Sequence, residues 1–240
     1  MTADTEHIAK TASETLWIAE TFVSVQGEGK LAGVPSLFVR TSGCNLRCHF
    51  CDTPYASWTA SGEHRTIEDL LKPLETRAGV RHVVVTGGEP MIAKGIEALV
   101  GELARRGMHI TIETAGTHYL PLPVDLWSVS PKLASSAPDA ASGWRERHEA
   151  TRVRDDVIQA MMQGEHQLKF VAGAPADLDE IAAWVERVGA SPGNVLIMPE
   201  GTSIEALNAV AKWLVPAVIE RGWRFADRLH IRLFGHTPGT

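Results

Sequence analysis

Short apolar runs alternate with helical patterns through most of the 240-residue chain, and no other feature limits the fold as much. Strand patterns cover 16–25, 35–41, 81–86, 109–113, 126–130, 167–171, 194–198 and 229–234; helical patterns cover 66–74, 95–106, 177–188 and 203–221. Thr66 stands where a helix N-cap belongs, with Asp69 near the first turn, and Gly107 stops the second helix. Strands alternating with helices predict parallel βαβ units. The chain is at the short end for a closed eight-fold barrel. The expected architecture is therefore α/β: one domain over 15–240, a partial, open β/α barrel with a mostly parallel sheet. Residues 1–14 read as a loose tail. Residues 134–165 are long for a βα connection; 155–162 form a helical pattern, and the whole reads as an insertion covering the site.

Chemistry in such folds collects on the loops after the strands. All three cysteines, Cys44, Cys48 and Cys51, lie after the second strand in C-x3-C-x2-C spacing. Four thiolates close a tetrahedral zinc site or fill an iron–sulfur cluster. Three around a four-iron cluster leave one iron open to a substrate or cofactor, by the logic that keeps one position open in catalytic zinc sites. The alternatives are chance proximity and a small zinc site with His49. That histidine is crowded between two cysteines, and no second C-x-x-C or H-x3-H pair completes a zinc ribbon. Gly87-Gly88-Glu89-Pro90, Glu113-Thr114-Ala115-Gly116 and Ser130-Pro131-Lys132 follow the next strands in turn. Their common placement points to one active site.

Composition closes off several classes. A net charge of −6 argues against nucleic acid as the main partner. No apolar run reaches the roughly 20 residues of a membrane helix, and residues 1–14 lack the apolar stretch of a signal peptide. Closely spaced thiols without export signals fit a reducing cytoplasm. The arginines at 145–147 and 152–154 read as solvated, mixed-charge faces.

Cys44, Cys48 and Cys51 match the signature of the radical S-adenosylmethionine (SAM) superfamily. The flanks, from Ser24-Val25-Gln26-Gly27-Glu28-Gly29 through Phe38-Val39-Arg40 to Cys51-Asp52-Thr53, resemble the 7-carboxy-7-deazaguanine synthase family. The resemblance runs in order from about Trp17 to the C-terminus. It implies the radical SAM type of open barrel, a [4Fe–4S] cluster on the three cysteines, SAM on its open iron, and Mg2+. Reductive cleavage of SAM would give methionine and a 5′-deoxyadenosyl radical. The implied reaction is ring contraction of 6-carboxy-5,6,7,8-tetrahydropterin to 7-carboxy-7-deazaguanine with loss of ammonia, SAM being regenerated. That is a carbon–nitrogen lyase. An electron donor such as flavodoxin or ferredoxin and a homodimer are further implications.

The same resemblance assigns residues. Phe50, Cys51, Asp52, Gly88, Glu89, Glu113, Ser130, Pro131 and Lys132 fall at SAM-contacting positions, and Val25, Gln26, Gly27, Glu28, Arg40, Thr86 and the terminal Thr240 at substrate-contacting ones. Thr53 matches the magnesium ligand; one hydroxyl suffices, because magnesium keeps oxygens from water and substrate. The residues alone leave other readings open. Phe50 is also an ordinary loop apolar residue, Glu113 a strand-end hydrogen-bonder, Arg40 the partner of an internal acid, and Thr53 a turn hydroxyl before Pro54. His236 has no assigned role and faces solvent. Two other functions stay in view: a glycyl-radical-enzyme activase, and a non-enzymatic iron–sulfur or zinc module.

Overall fold

The computed structural model describes residues 14–240, so the expectation of a loose tail lies outside the described residues but for Glu14. One nine-stranded sheet runs in the order β3-β1-β2-β4-β5-β6-β7-β8-β9 and does not close. Its strands are β1 (Thr15–Val25), β2 (Pro35–Thr41), β3 (Glu63–Thr66), β4 (His82–Gly87), β5 (His109–Thr114), β6 (Leu126–Val129), β7 (His166–Ala172), β8 (Val195–Pro199) and β9 (Arg224–Phe225). From β2 to β9 every pairing is parallel, while β1 runs antiparallel to both β2 and β3. The helices are α1 (Ile67–Glu75), α2 (Ile96–Arg105), α3 (Arg145–Arg152), α4 (Asp155–Met161), α5 (Asp177–Val188), α6 (Ile204–Glu220) and α7 (Leu229–Phe234). Thr66 caps α1 as expected, its Oγ1 accepting from Asp69 N at 3.2 Å. Among the described residues no helix is long and apolar enough to cross a membrane.

Strand alternation sends side chains to two different places. Val83, Val85, Ile110, Ile112, Leu168, Phe170, Val195 and Ile197 belong to the main core cluster, packed with helix residues such as Leu99, Ile181 and Leu214. The alternate positions turn into the lumen and are largely polar. Its floor is a belt of hydrogen bonds from strand to strand. Ser36 Oγ lies 2.7 Å from His82 Nδ1, and His82 Nε2 lies 2.7 Å from Thr111 Oγ1. Gln167 Nε2 donates to Ser128 Oγ at 2.8 Å.

Ser36 Oγ–H donates to the Val34 carbonyl, so His82 Nδ1 carries the proton and Nε2 accepts from Thr111. The ring is neutral. Burial first, then the neighbouring His109, lower its pKa from 6.5 to about 4. The linkage sign follows: above pH 6.5 neither state takes the proton, and below it only the unfolded chain does. Stability is thus expected to fall by at most about 3 kcal/mol between pH 6.5 and 4. Urea unfolding of the wild type and His82→Gln across that range checks it; the variant should lose most of this slope.

Three expectations fail here. Residues 229–234 form α7, not a final strand: apolar residues at 229, 231 and 233 imitate a period of two, but only Ile231 is buried, and Leu233 and Phe234 are exposed. Gly235 N–H returning to the Ile231 carbonyl closes the helix. The strands β3 and β9 are additional; they are four and two residues long and carry no apolar alternation. Arg152 is buried rather than solvated, donating to the Lys132 carbonyl at 3.0 Å and to Glu180 at 2.8 Å.

Candidate active site

The lumen holds a cavity of about 780 Å³. From β1 the chain enters it: Gln26 to Leu31 run across the lumen, with Lys30 N–H reaching Gln167 Oε1 at 2.8 Å on the far side. A side chain at Gly29 would overlap Gln167, and one at Gly27 would overlap the His230 ring. Two glycines are needed because the segment threads between filled positions.

Val25, Gln26, Gly27, Glu28, Arg40, Thr86 and Thr240 all line this cavity, and so do Phe50, Asp52, Thr53, Gly88, Glu113, Ser130 and Lys132. So do Cys44, Cys48 and Cys51. One pocket therefore collects almost every motif singled out in the sequence. Pro131 and Glu89 stand outside its lining. Glu89 is wholly buried, and its carboxylate accepts from Met91 N (3.1 Å), Thr114 Oγ1 (2.7 Å) and Ala115 N (2.8 Å). Burial raises its pKa against those hydrogen bonds. It ties the loop after β4 to the loop after β5. Gly88 is pressed against the cysteine loop: a Cβ there would overlap the Gly43 and Ala56 carbonyl oxygens.

The thiols are free, and burial pushes Cys44 up to about 12 and raises Cys48, for which the Lys132 charge works in the opposite direction. Metal replaces a thiol proton, and donors already surround the sulfurs: Leu46 N–H at 3.4 Å from Cys44 Sγ, Ser57 Oγ at 3.1 Å from Cys51 Sγ. Among the described residues no three His, Cys, Asp or Glu side chains converge on a single-ion centre; a four-iron cluster instead spreads three thiolates over three irons. The donor set fits that cluster. Thr53 lines the cavity, and its Oγ1 lies 3.9 Å from Cys51 Sγ.

On the opposite wall a polar chain runs from β4 to the cysteine loop. Thr86 Oγ1 donates to Glu113 Oε2 (3.0 Å), and Gln26 Nε2 to Glu113 Oε1 (3.1 Å). Lys169 Nζ pairs with Glu28 Oε2 and lies 4.0 Å from Glu113. Arg228 pairs with Glu28 Oε1 at 3.2 Å and with Asp52. Burial alone would raise the Glu28 pKa; Lys169, then Arg228 and His230, hold it well below the usual carboxylate range. Arg40 does meet an internal acid, its Nε 2.6 Å from Glu20 Oε1, while still lining the cavity.

Lys169, Arg228 and His230 were missed in the sequence. The signal for Lys169 was there: a lysine inside an apolar strand, two residues from Gln167 and so on the lumen face. His236, read as solvent-facing, is exposed and also holds the Asp52 carbonyl at 3.0 Å through Nε2. Residues 134–165 are not among those lining the cavity; Ser136 and His148 of that stretch contact the cysteine loop.

The Radical SAM superfamily model matches residues 38–128. A 7-carboxy-7-deazaguanine synthase of Rhodopirellula baltica is 48% identical, over 99% of this chain and 94% of that one. The chain belongs to the 7-carboxy-7-deazaguanine synthase family. A Halobacterium salinarum synthase of the family is 40% identical over 93% of this chain and 92% of its own length. The fold is that of the crystal structure of QueE from Escherichia coli, with a TM-score of 0.70 at 24% identity, covering 94% of this chain and 99% of that one. The open parallel sheet expected from the alternation is thus the fold of this synthase family.

Proposed function

We propose that the chain converts 6-carboxy-5,6,7,8-tetrahydropterin to 7-carboxy-7-deazaguanine with release of ammonia, as a radical SAM carbon–nitrogen lyase. One observation carries the reading. The cysteine loop and the Gln26-Gly27-Glu28 segment, 16 or more residues apart in sequence, line a single cavity. A glycyl-radical activase would have no work for the polar segment inside the lumen. A bare iron–sulfur module would have none for the cavity.

Cys44, Cys48 and Cys51 would hold the [4Fe–4S] cluster, which with bound SAM supplies a primary carbon radical. The chain's own residues do the rest. Ser130 and Lys132, joined by a 2.9 Å hydrogen bond, stand beside the cysteines with Gly88 and Phe50 and would bind SAM. Gln26, whose amide matches the mixed donors and acceptors of a pterin, would bind substrate with Thr86, both from the cavity lining, and Glu113, which accepts from both of them, would contact SAM. Arg40 and Thr53 would take the substrate carboxylate, Thr53 through Mg2+. The Gln26–Leu31 segment excludes water from the lumen side. A small redox protein such as flavodoxin or ferredoxin would supply the electron, and the enzyme would work as a homodimer in the cytoplasm.

Anaerobic reconstitution and turnover with the carboxytetrahydropterin, SAM, a reductant and magnesium, with products read by mass, tests this. SAM cleavage without pterin conversion would remove the substrate assignment; iron binding without SAM cleavage would remove the reaction class. Thr53→Val is expected to lower the rate at fixed magnesium by at least ~10-fold, with SAM cleavage in the absence of pterin unchanged. A magnesium titration identical to the wild type would exclude Thr53 as the ligand.

A further inference from the structure

Residues 134–165 have no place in the mechanism above, yet two of their polar side chains are completely buried. His148 on α3 and Ser136 in the preceding turn are both 0% exposed. His148 Nδ1 lies 3.2 Å from the Arg47 amide nitrogen, and Nε2 lies 2.9 Å from Ser136 Oγ. A backbone N–H only donates, so Nδ1 is the acceptor and the neutral ring carries its proton on Nε2. Ser136 Oγ accepts that proton and donates its own to the Leu133 carbonyl at 2.6 Å. Every donor and acceptor in this chain has its partner.

One end of this chain is the Arg47 amide of the cysteine loop. The Ser136 carbonyl accepts from His49 N–H at 3.0 Å. The amides on either side of Cys48, those of Arg47 and His49, are therefore both held by the 134–165 segment. A third contact reaches Cys44: Trp144, just before α3, plates the Arg47 guanidinium at 4.1 Å. That guanidinium donates to the Cys44 and Leu46 carbonyls, each at 2.7 Å. Buried backbone amides need acceptors, and those of Arg47 and His49 find theirs in a separate segment.

We infer that His148 is a positioning residue for the cluster ligands: with Ser136 it fixes the backbone on both sides of Cys48, so that 134–165 braces the cysteine loop. The inference rests on the cluster reading only for its consequence, since the brace itself is visible without iron. Ordinary packing of a buried histidine would require neither the acceptor role of Nδ1 toward Arg47 nor a bond from Nε2 to the residue whose carbonyl holds the His49 amide.

The test uses full-length wild type, His148→Leu, His148→Asn and Ser136→Ala. Asparagine keeps an acceptor near the Nδ1 position, and leucine keeps neither bond. Hydrogen exchange of the Arg47 and His49 amides is measured in the cluster-free protein. Iron release to a chelator and the EPR signal of the reduced cluster are measured after anaerobic reconstitution. In His148→Leu both amides and iron release should accelerate roughly tenfold, as expected for one lost buried hydrogen bond, with a shifted EPR signal. His148→Asn should restore protection at Arg47, and Ser136→Ala should fall between. Unchanged exchange at both amides overturns the inference, as does acceleration spread evenly over the sheet amides. If His148→Leu does not fold, His148→Asn and Ser136→Ala decide it by the same amides. Wild type that takes up no iron, with the exchange pattern as expected, would sink the cluster reading and leave the brace standing.

Discussion

Gly88→Ala is expected to cut SAM cleavage about a hundredfold while the sheet stays folded. Misplacement of reacting groups by an ångström is enough for a loss of that size. The reason lies within the chain. Gly88 N–H donates to the Thr41 carbonyl at 3.1 Å and Glu89 N–H to the Gly43 carbonyl at 2.9 Å, which seats the loop after β4 directly on the cysteine loop. An added methyl would overlap the carbonyl oxygens of Gly43 and Ala56. Backbone atoms cannot rotate aside as a side chain can, so the cysteine loop itself must shift. Overpacking of this kind costs about 1–3 kcal/mol in stability, too little to unfold the domain. Gly79→Ala is the control, because a Cβ at Gly79 has nothing within 4 Å and its φ is not in the left-handed region. Deoxyadenosine formation, iron content and circular dichroism on both variants check the point. Full activity in Gly88→Ala would show that the two loops separate freely.

That glycine illustrates how far the residues could be read in advance. The parallel strands were legible because burial on both faces leaves runs such as His82-Val83-Val84-Val85, and the cysteine spacing marks its own loop. The resemblance places Gly88 at a SAM-contacting position, but its close approach to the Gly43 and Ala56 carbonyl oxygens, another stretch of backbone, leaves no mark in the sequence. Glu89 shows the same limit: the resemblance places it at a SAM-contacting position, and nothing in the sequence marks the three hydrogen bonds its carboxylate accepts from Met91, Thr114 and Ala115. Contacts between residues 25 or more apart, such as Thr114 with Glu89, leave no periodicity in the sequence. Arg228 and His148 are the extreme cases. Arg228 joins Glu28, Asp52 and the Gly201 carbonyl from three separate loops. Its role exists only once the open barrel has brought those loops to one end.

Lys169→Met is expected to destabilise the protein by about 3–5 kcal/mol, the usual consequence of removing one partner from a buried ion pair. Lys169 is 5% exposed, and its ammonium faces Glu28 and Glu113 inside the lumen. Burial would lower its pKa, but Glu28, then Glu113, raise it above the ordinary lysine value. Methionine has a similar shape and no charge, so packing survives and the electrostatic loss is isolated. Glu28 retains Arg228, and Glu113 is left with only neutral donors, Gln26 and Thr86. The sign with pH is opposite to that of His82. In the variant, burial is no longer countered by the ammonium, so carboxylate pKa values rise in the folded state relative to the wild type. The deficit is then full above those raised values and shrinks as pH falls through them. Urea unfolding at pH 7 and pH 5 should show the gap to wild type narrowing. The double variant Glu28→Gln/Lys169→Met should be less destabilised than the two single changes added together, because the charges that need each other leave together. Additivity of the two would mean that Glu28 and Lys169 do not sense one another, and the polar wall facing the cysteines would have to be held by Arg228 alone.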